Sequence, residues 1–413
     1  MIDINFIREN PGKVKEACEK KQVKCDVDKI LELDKKRREL ITESESLKAE
    51  QNKIGKAGHD QASIEKAKEL KEKFKAIEPE IKKVEGQLEP LLLVLPNIPF
   101  DDVPVGKDDS GNVVLRKVGK PPKFGFQQKD YMQLAEKLDL IDTERAAKVT
   151  GTRFGYLKRQ LPLIEFAMVK LALDTVIKKG FIPVIPPVML KNKMAHGTGY
   201  FEATDEKEAY YLPQDDMYLV GTAEQSMIAM HADEVLDEKK LPLRYAAFST
   251  CFRREAGSYG KDTKGILRVH QSDKLEMVIF CKPEDSKKEL ELLLSIEEEL
   301  MKKLELPYQV INICTGDLGR PAAKKYDIEA WIPSENKYRE THSTSNCTDF
   351  QARRLNIKYR DEKNKLNFMH TLNGTAFAIG RILIAIMENC QQKDGSVKVP
   401  RVLQKYCGFK VIK

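Results

Sequence analysis

The chain has 413 residues, room for two or three domains, with 71 Lys and Arg against 64 Asp and Glu. The net charge of +7 permits contact with nucleic acid without arguing for it, because phosphate affinity follows clustered cations, not a modest excess. Eight scattered cysteines without a Cys-x-x-Cys imply neither a zinc site nor a disulfide framework; MIDINFIRENPGKV holds no apolar signal core, and no run nears the ~18 apolar residues of a membrane span. A soluble, cytoplasmic protein is expected.

From about Val27 to Leu95 the composition shifts to Lys, Glu, Leu and Ile. In the second half, Ile64, Ala67, Leu70, Phe74, Ile77, Ile81, Val84, Leu88 and Leu91 alternate spacings of three and four. That heptad seam predicts a long helix. The first half offers Ile30, Leu33, Leu40, Leu47 and Ile54, with Arg37, Ser44 and Gln51 interrupting the seam. Between them Gly55 to Asp60 predicts a turn, with Asp60 as N-cap, so the helices fold back as an antiparallel coiled-coil hairpin. Pro79 is expected to bend or break the second helix. The segment balances fifteen basic against fifteen acidic side chains, and helical spacing puts Lys68, Lys71, Lys75 and Lys82 on one face. A solvated coiled-coil surface would look the same, so an RNA-gripping face needs support from elsewhere.

Pro96-Asn-Ile-Pro99 stops the hairpin, and a Gly/Pro/Asp-rich stretch at 101–125 reads as a linker. From Phe126 helical stretches (Tyr131–Leu138, Leu163–Lys178, Lys287–Leu304) mix with short apolar strands. The strands are Pro183–Met189, Tyr218–Val220, Tyr245–Phe252, Gly265–Val269, Leu275–Phe280, Tyr308–Ile313, Tyr326–Ile332 and Phe368–Asn373. Hairpin spacings outnumber β-α-β units, so the fold class is α+β with a mostly antiparallel sheet flanked by helices. The predicted domains are an N-terminal unit at 1–100, the linker at 101–125 and a body at 126–413. No GxGxxG or P-loop stands out.

The most informative stretch is FRREAGSYGKDTKGILRVHQSDKLE, Phe252 to Glu276. Arg253 and Glu255 precede a small-residue turn (Ala256, Gly257, Gly260), and Arg268 to Glu276 follows it. This reads as a hairpin with arginines and carboxylates at both strand ends. Three blocks join it. Gly180-Phe-Ile-Pro-Val-Ile-Pro-Pro187 is a helix end running into a proline-bearing strand, and Thr222-Ala-Glu224 follows. Asn373-Gly-Thr375 to Arg381 is a strand and Gly turn entering an apolar helix. Between them lies Glu340-Thr-His-Ser343, running on to Ser-Asn-Cys-Thr-Asp-Phe-Gln-Ala-Arg-Arg. Together these resemble motifs 1, 2 and 3 of the class II aminoacyl-tRNA synthetases, and specifically the seryl-tRNA synthetase family, from the first residues to about Phe409.

Joining an amino acid to AMP sets a carboxylate against an α-phosphorus. The nucleophile is already an anion, so no general base is needed, and catalysis rests on alignment and on cations. The resemblance implies that Arg253 holds the α-phosphate and the substrate carboxylate, that Arg381 holds the γ-phosphate end, and that Arg268 assists. It assigns Glu255 to the adenine amino group, and Glu340 and Ser343 both to ATP and to a Mg²⁺ ion. Serine selection falls to Glu276 and Thr375 for the hydroxyl, Glu224 and Thr222 for the ammonium, and Asn373 as a supporting contact, with Arg253 on the carboxylate. Buried polar groups of this kind can reject a substrate lacking the hydroxyl by roughly 10⁴-fold or more. His270 and His342 carry no step.

The resemblance further implies a homodimer. It makes tRNA-Ser, gripped by its long extra arm on the Lys68, Lys71 and Lys75 face, the RNA partner, and leaves room for charging tRNA-Sec with serine. One position departs: Ser272 stands where the family places an aromatic ring to stack on adenine, a contact worth about 1 kcal/mol. Two other readings remain: an amino acid:carrier-protein ligase on the same body, and a non-catalytic RNA-binding paralogue. The arm and the lack of a cysteine cluster weigh against the first. Intact Arg253, Glu276, Glu340 and Arg381 weigh against the second.

Overall fold

The computed structural model describes residues 1–57, 61–200, 205–256 and 265–413. They form two compact units, Met1–Ile98 and Pro99–Lys413. In the first, the Asp3 side chain caps α1 (Ile4–Glu9) and Pro11 opens α2 (Pro11–Lys20), where its missing N–H costs nothing. Two long helices follow, α3 (Val27–Ala57) and α4 (Gln61–Val94). Arg37 pairs with Glu85 at 2.9 Å and Lys66 with Glu50 at 3.1 Å, the crossed order of an antiparallel pair. Ile30, Leu33, Val84 and Leu88 are buried together with Ile7, Val14 and Cys18 from the short helices. Farther along the pair, Leu70 and Ile77 stay buried but Ile64 is 53 % exposed, so the seam loosens with distance from that core. Of the bend or break expected at Pro79 there is no break: helix α4 runs continuously through it. A proline removes one hydrogen bond, and packing along the helix pair outweighs that loss. The expected Asp60 cap lies outside the described residues.

The second unit is built on one eight-stranded sheet. In chain order its strands are β1 (Val113–Val118), β2 (Ile182–Val184), β3 (Leu243–Phe252), β4 (Gln271–Cys281), β5 (Tyr308–Asn312), β6 (Lys324–Ile332), β7 (Lys337–Asn346) and β8 (His370–Ala378). Their spatial order is β1-β5-β6-β7-β8-β4-β3-β2, antiparallel except for the edge pair β2–β3. The pleat sorts β4 by parity. Leu275, Met277, Ile279 and Cys281 pack into the main core with α5 (Leu161–Ile177), α7 (Ser286–Leu304) and α9 (Ile379–Asn389). Val278 and Phe280 face the other way, onto α6 (Ala223–Ala229) and α8 (Phe350–Arg354). That second face continues at Glu276 and Lys274 into an open cavity.

Four expectations need correction. The stretch 101–125 is no linker: its Val-Val-Leu-Arg-Lys-Val run supplies edge strand β1, paired with β5. Pro183–Met189 is split into Ile182–Val184 and Met189–Lys191, because Pro186 and Pro187 cannot donate to a ladder. Gly265–Val269 is turn rather than strand; Gly265 has φ +75°, and the Ile266 N–H donates to the Tyr131 hydroxyl at 3.2 Å. No Gly turn separates the last strand from its helix. Gly374 lies inside β8, where a Cβ would come within 3.0 Å of Glu297 Oε1 and Thr344 Oγ1.

Candidate active site

Above β4, β7 and β8 lies a cavity of about 640 Å³. Strand pleating explains its floor: Lys274 and Glu276 on β4, Ser343 and Ser345 on β7, and Asn373 and Thr375 on β8 recur every second residue. Its walls come from Thr222 and Glu224 at the start of α6, from Arg253, Glu255 and Arg268 in the hairpin, and from Arg381 in the first turn of α9. The structure thus brings eleven of the sequence-predicted residues into one cavity: Thr222, Glu224, Arg253, Glu255, Arg268, Glu276, Glu340, Ser343, Asn373, Thr375 and Arg381. Lys68, Lys71 and Lys75 are exposed on α4, and Lys75 is engaged with Glu72 at 3.1 Å. Gly257 and Gly260 of the hairpin turn lie outside the described residues.

At the cavity floor Glu276 is 2 % exposed and accepts the hydroxyls of Thr222 and Thr375, each at 3.1 Å, beside the Lys274 ammonium. This carboxylate is therefore buried but satisfied, the only economical way to hold a charge there. Glu224 is buried next to it and accepts from Tyr200, Gln351 (2.9 Å) and Asn373 (3.0 Å). Burial pushes the Glu224 carboxyl up to about 7 against the pull of these donors, and the nearby charge of Glu276 adds to the rise. Gln351 is itself pinned by the Thr371 hydroxyl at 2.6 Å and the Thr198 carbonyl at 3.1 Å, so its orientation is imposed.

The other end is built from charge pairs. Arg381 donates to the Glu340 carbonyl at 2.9 Å and pairs with its carboxylate at 3.2 Å. Surrounding protein opposes ionisation of Glu340, but Arg381, Lys325 and Lys274 hold it at about 2. Its side chain keeps 45 % of its surface accessible, so this anion faces the cavity. On β6, Lys325 pairs with Asp327 at 3.2 Å; burial pushes Asp327 up to about 7, opposed by that ammonium. Arg253 is oriented by its bond from Nε to the Gly221 carbonyl at 3.1 Å. Glu255 sits at φ +51° and meets Arg268 at 3.6 Å. A side chain held in that sparsely populated region points to a local demand on its direction.

Lys274, Lys325, Asp327, Gln351 and Tyr200 were missed as site residues by the sequence reading. Lys274 was recoverable, since it stands two before Glu276 and shares its face. Lys325 and Asp327 gave no signal in so Lys-rich a chain. His342 is 1 % exposed, and burial lowers it to about 3, so its ring is neutral near pH 7. His270 hydrogen-bonds the Arg253 carbonyl at 3.0 Å. Cys251 is a buried thiol raised by burial.

The seryl-tRNA synthetase N-terminal domain matches residues 1–99, and the class II core domain of the G, H, P, S and T tRNA synthetases matches residues 210–390. The serine–tRNA ligase of Dictyoglomus thermophilum is 46 % identical over 422 residues, covering 100 % of this chain and 99 % of its own. That of Kosmotoga olearia is 46 % identical over 427 residues, covering 100 % of both. The crystal structure of Pyrococcus horikoshii seryl-tRNA synthetase complexed with ATP superposes with a TM-score of 0.92 at 42 % identity, over 100 % of this chain and 99 % of the other. The cytoplasmic serine–tRNA ligase of Naegleria fowleri, in complex with AMP, gives 0.89 at 35 %, with the same coverage. The chain belongs to the seryl-tRNA synthetase family, class II aminoacyl-tRNA ligases with a helical N-terminal domain.

Proposed function

We propose that this chain activates L-serine with ATP to seryl-adenylate in the cavity above β4 and then passes serine to the 3′ end of tRNA-Ser. The observation that carries this reading is Glu276. It is a buried carboxylate ringed by Thr222, Thr375 and Lys274, with acceptor capacity beyond those three partners that a serine hydroxyl can use and an alanine cannot. Glu224, beside Asn373, takes the serine ammonium. Arg253, fixed to Gly221, aligns the serine carboxylate with the α-phosphate, while Arg268 and Arg381 steady the pyrophosphate and Glu255 accepts from the adenine amino group. No residue takes a proton in the first step; positioning and cationic charge lower its barrier. Lys325, whose pairing partner is Asp327, adds an ammonium to the same cavity wall.

The donors at the Arg381 end fit a Mg²⁺ ion: an ionised Glu340, the Ser343 hydroxyl and, next to them, a buried Asp327 whose Oδ1 has no hydrogen-bond partner. Bound to Glu340 and Ser343, the ion would neutralise charge on the ATP phosphates. A homodimer is supported by apolar side chains left open around the motif 1 segment, with Phe166 64 %, Ile182 50 % and Ile185 87 % exposed. No helix among the described residues is long and apolar enough to cross a membrane, in keeping with a place in the cytoplasm. The exposed Lys68, Lys71 and Lys75 face of α4 grips the extra arm of the tRNA. Serine charging of tRNA-Sec would use the same surface.

Serine-dependent exchange of pyrophosphate into ATP should be present in the full chain and survive deletion of roughly residues 30–90, because the two units are separately compact. The same deletion should abolish charging of tRNA-Ser; no exchange in the full chain would leave only RNA binding, and surviving charging would free the arm of its role. A second expectation follows from Glu224, which must be ionised to hold the ammonium. Its carboxyl, raised to about 7, ionises as pH rises, so the KM for serine should fall about eightfold from pH 6 to 7.5. A KM that is flat or rises over that range would contradict the assignment. The sign for stability is opposite: an acid raised on folding destabilises progressively as pH climbs from its ordinary value to about 7. Finally, Ser272 is exposed at the start of β4, on the parity shared by Lys274 and Glu276. Ser272→Phe should lower the KM for ATP several-fold by giving adenine a ring to stack on; an unchanged or higher KM would refute that.

A further inference from the structure

Lys325 and Asp327 stand two apart on β6 and so project from one face of the strand. The register sets Asp327 opposite Ser343 and Lys325 opposite Ser345, and Lys325, Ser343 and Ser345 all line the cavity. Side chains directly opposite one another on adjacent antiparallel strands lie within touching distance, with Cβ atoms about 5 Å apart. Asp327 is 6 % exposed. One of its oxygens, Oδ2, meets the Lys325 ammonium at 3.2 Å, whereas Oδ1 is buried without a hydrogen-bond partner. A buried carboxylate oxygen left unpartnered costs free energy, and such an atom beside a hydroxyl calls for an explanation.

The chemistry of a cation-binding serine supplies one. A hydroxyl that turns its lone pairs to a metal ion must send its own proton elsewhere, and partners of this kind orient the ligand and set the affinity. We propose that Asp327 is a positioning residue for Ser343: its Oδ1 accepts the hydroxyl proton so that the Ser343 oxygen points at a divalent cation shared with Glu340, while Lys325 holds the other oxygen and balances its charge. The proposal rests on the assignment of Glu340 and Ser343 to the metal. Charge balance agrees with it. Arg381 answers Glu340 and Lys325 answers Asp327, so an arriving cation leaves a positive surplus for the phosphates of ATP to fill. Asp327 itself stays behind the ligands, since it does not line the cavity.

Asparagine at 327 is the discriminating change. Lys325 can only donate, so the amide would turn its carbonyl to Lys325 and its NH₂ to Ser343, replacing the acceptor by a donor in the same volume. Mn²⁺ binding in the presence of ATP, read by electron paramagnetic resonance of the free ion, should weaken about tenfold in Asp327→Asn and in Ser343→Ala. The double variant should be no weaker than Ser343→Ala alone, because Asp327 acts through Ser343. AMP binding without metal should be unchanged in Asp327→Asn, which also shows that it folds; Asp327→Ala repeats the test with the acceptor removed outright. Wild-type Mn²⁺ affinity in Asp327→Asn, additive losses in the double variant, or an equal loss of AMP binding would overturn the proposal. Unaltered affinity in Ser343→Ala would instead sink the metal assignment itself, and the proposal with it.

Discussion

Three carboxylates, Glu224, Glu276 and Glu340, line one cavity with a fourth, Asp327, just behind them, and the site depends on holding them there. Taking a carboxylate out of water is costly, and breaking one partner from such a pair typically costs about 3–5 kcal/mol. Each anion here has its own answer. Glu276 has Lys274 and two threonine hydroxyls, Glu340 has Arg381, Asp327 has Lys325, and Glu224 has only neutral donors. Their acidity follows burial as well as partners: Glu340, which keeps solvent access, is held at about 2, whereas burial pushes both Glu224 and the Lys325-paired Asp327 up to about 7. Glu224, whose hydrogen-bond donors are all neutral, is the one proposed to receive a substrate ammonium.

That arrangement in turn constrains the fold. Glu276, Asp327 and Glu340 stand on strands β4, β6 and β7 of the one antiparallel sheet, where the period of two repeats the same facing at every other residue, while Glu224 and Arg381 come from the starts of α6 and α9. The opposite face of the sheet carries Leu275, Met277 and Ile279 into the helical core, so moving the strand by one residue would exchange core and site. Gly374 belongs to the same logic. A side chain there would press on Glu297 and Thr344 behind the strand that presents Asn373 and Thr375. Close backbone placement at Gly374 is therefore part of what presents Asn373 and Thr375 to the cavity.

The sequence made the cavity legible wherever the demand fell on a motif. Arg253, Glu276, Glu340 and Arg381 could be named because they stand in blocks that resemble the motifs of the seryl-tRNA synthetase family. The coiled-coil arm was legible from its seam, down to the half-buried Arg37, Ser44 and Gln51 positions. What could not be seen is what tertiary pairing decides. The Val113–Val118 run resembled linker because its partner strand is nearly two hundred residues away, at Tyr308–Asn312. Lys325 and Asp327 acquire meaning only opposite Ser345 and Ser343. Helix α4 continues through Pro79 because local propensity is a small term against the packing of a long helix pair.

The account stands or falls on how serine meets the buried carboxylates. A crystal structure with a non-hydrolysable seryl-adenylate analogue tests this directly. It should place the serine hydroxyl on Glu276 and Thr375, the ammonium on Glu224, and the phosphate mimic against Arg253. An analogue seated elsewhere, or with its amino acid moiety turned away from Glu276 and Glu224, would contradict the account.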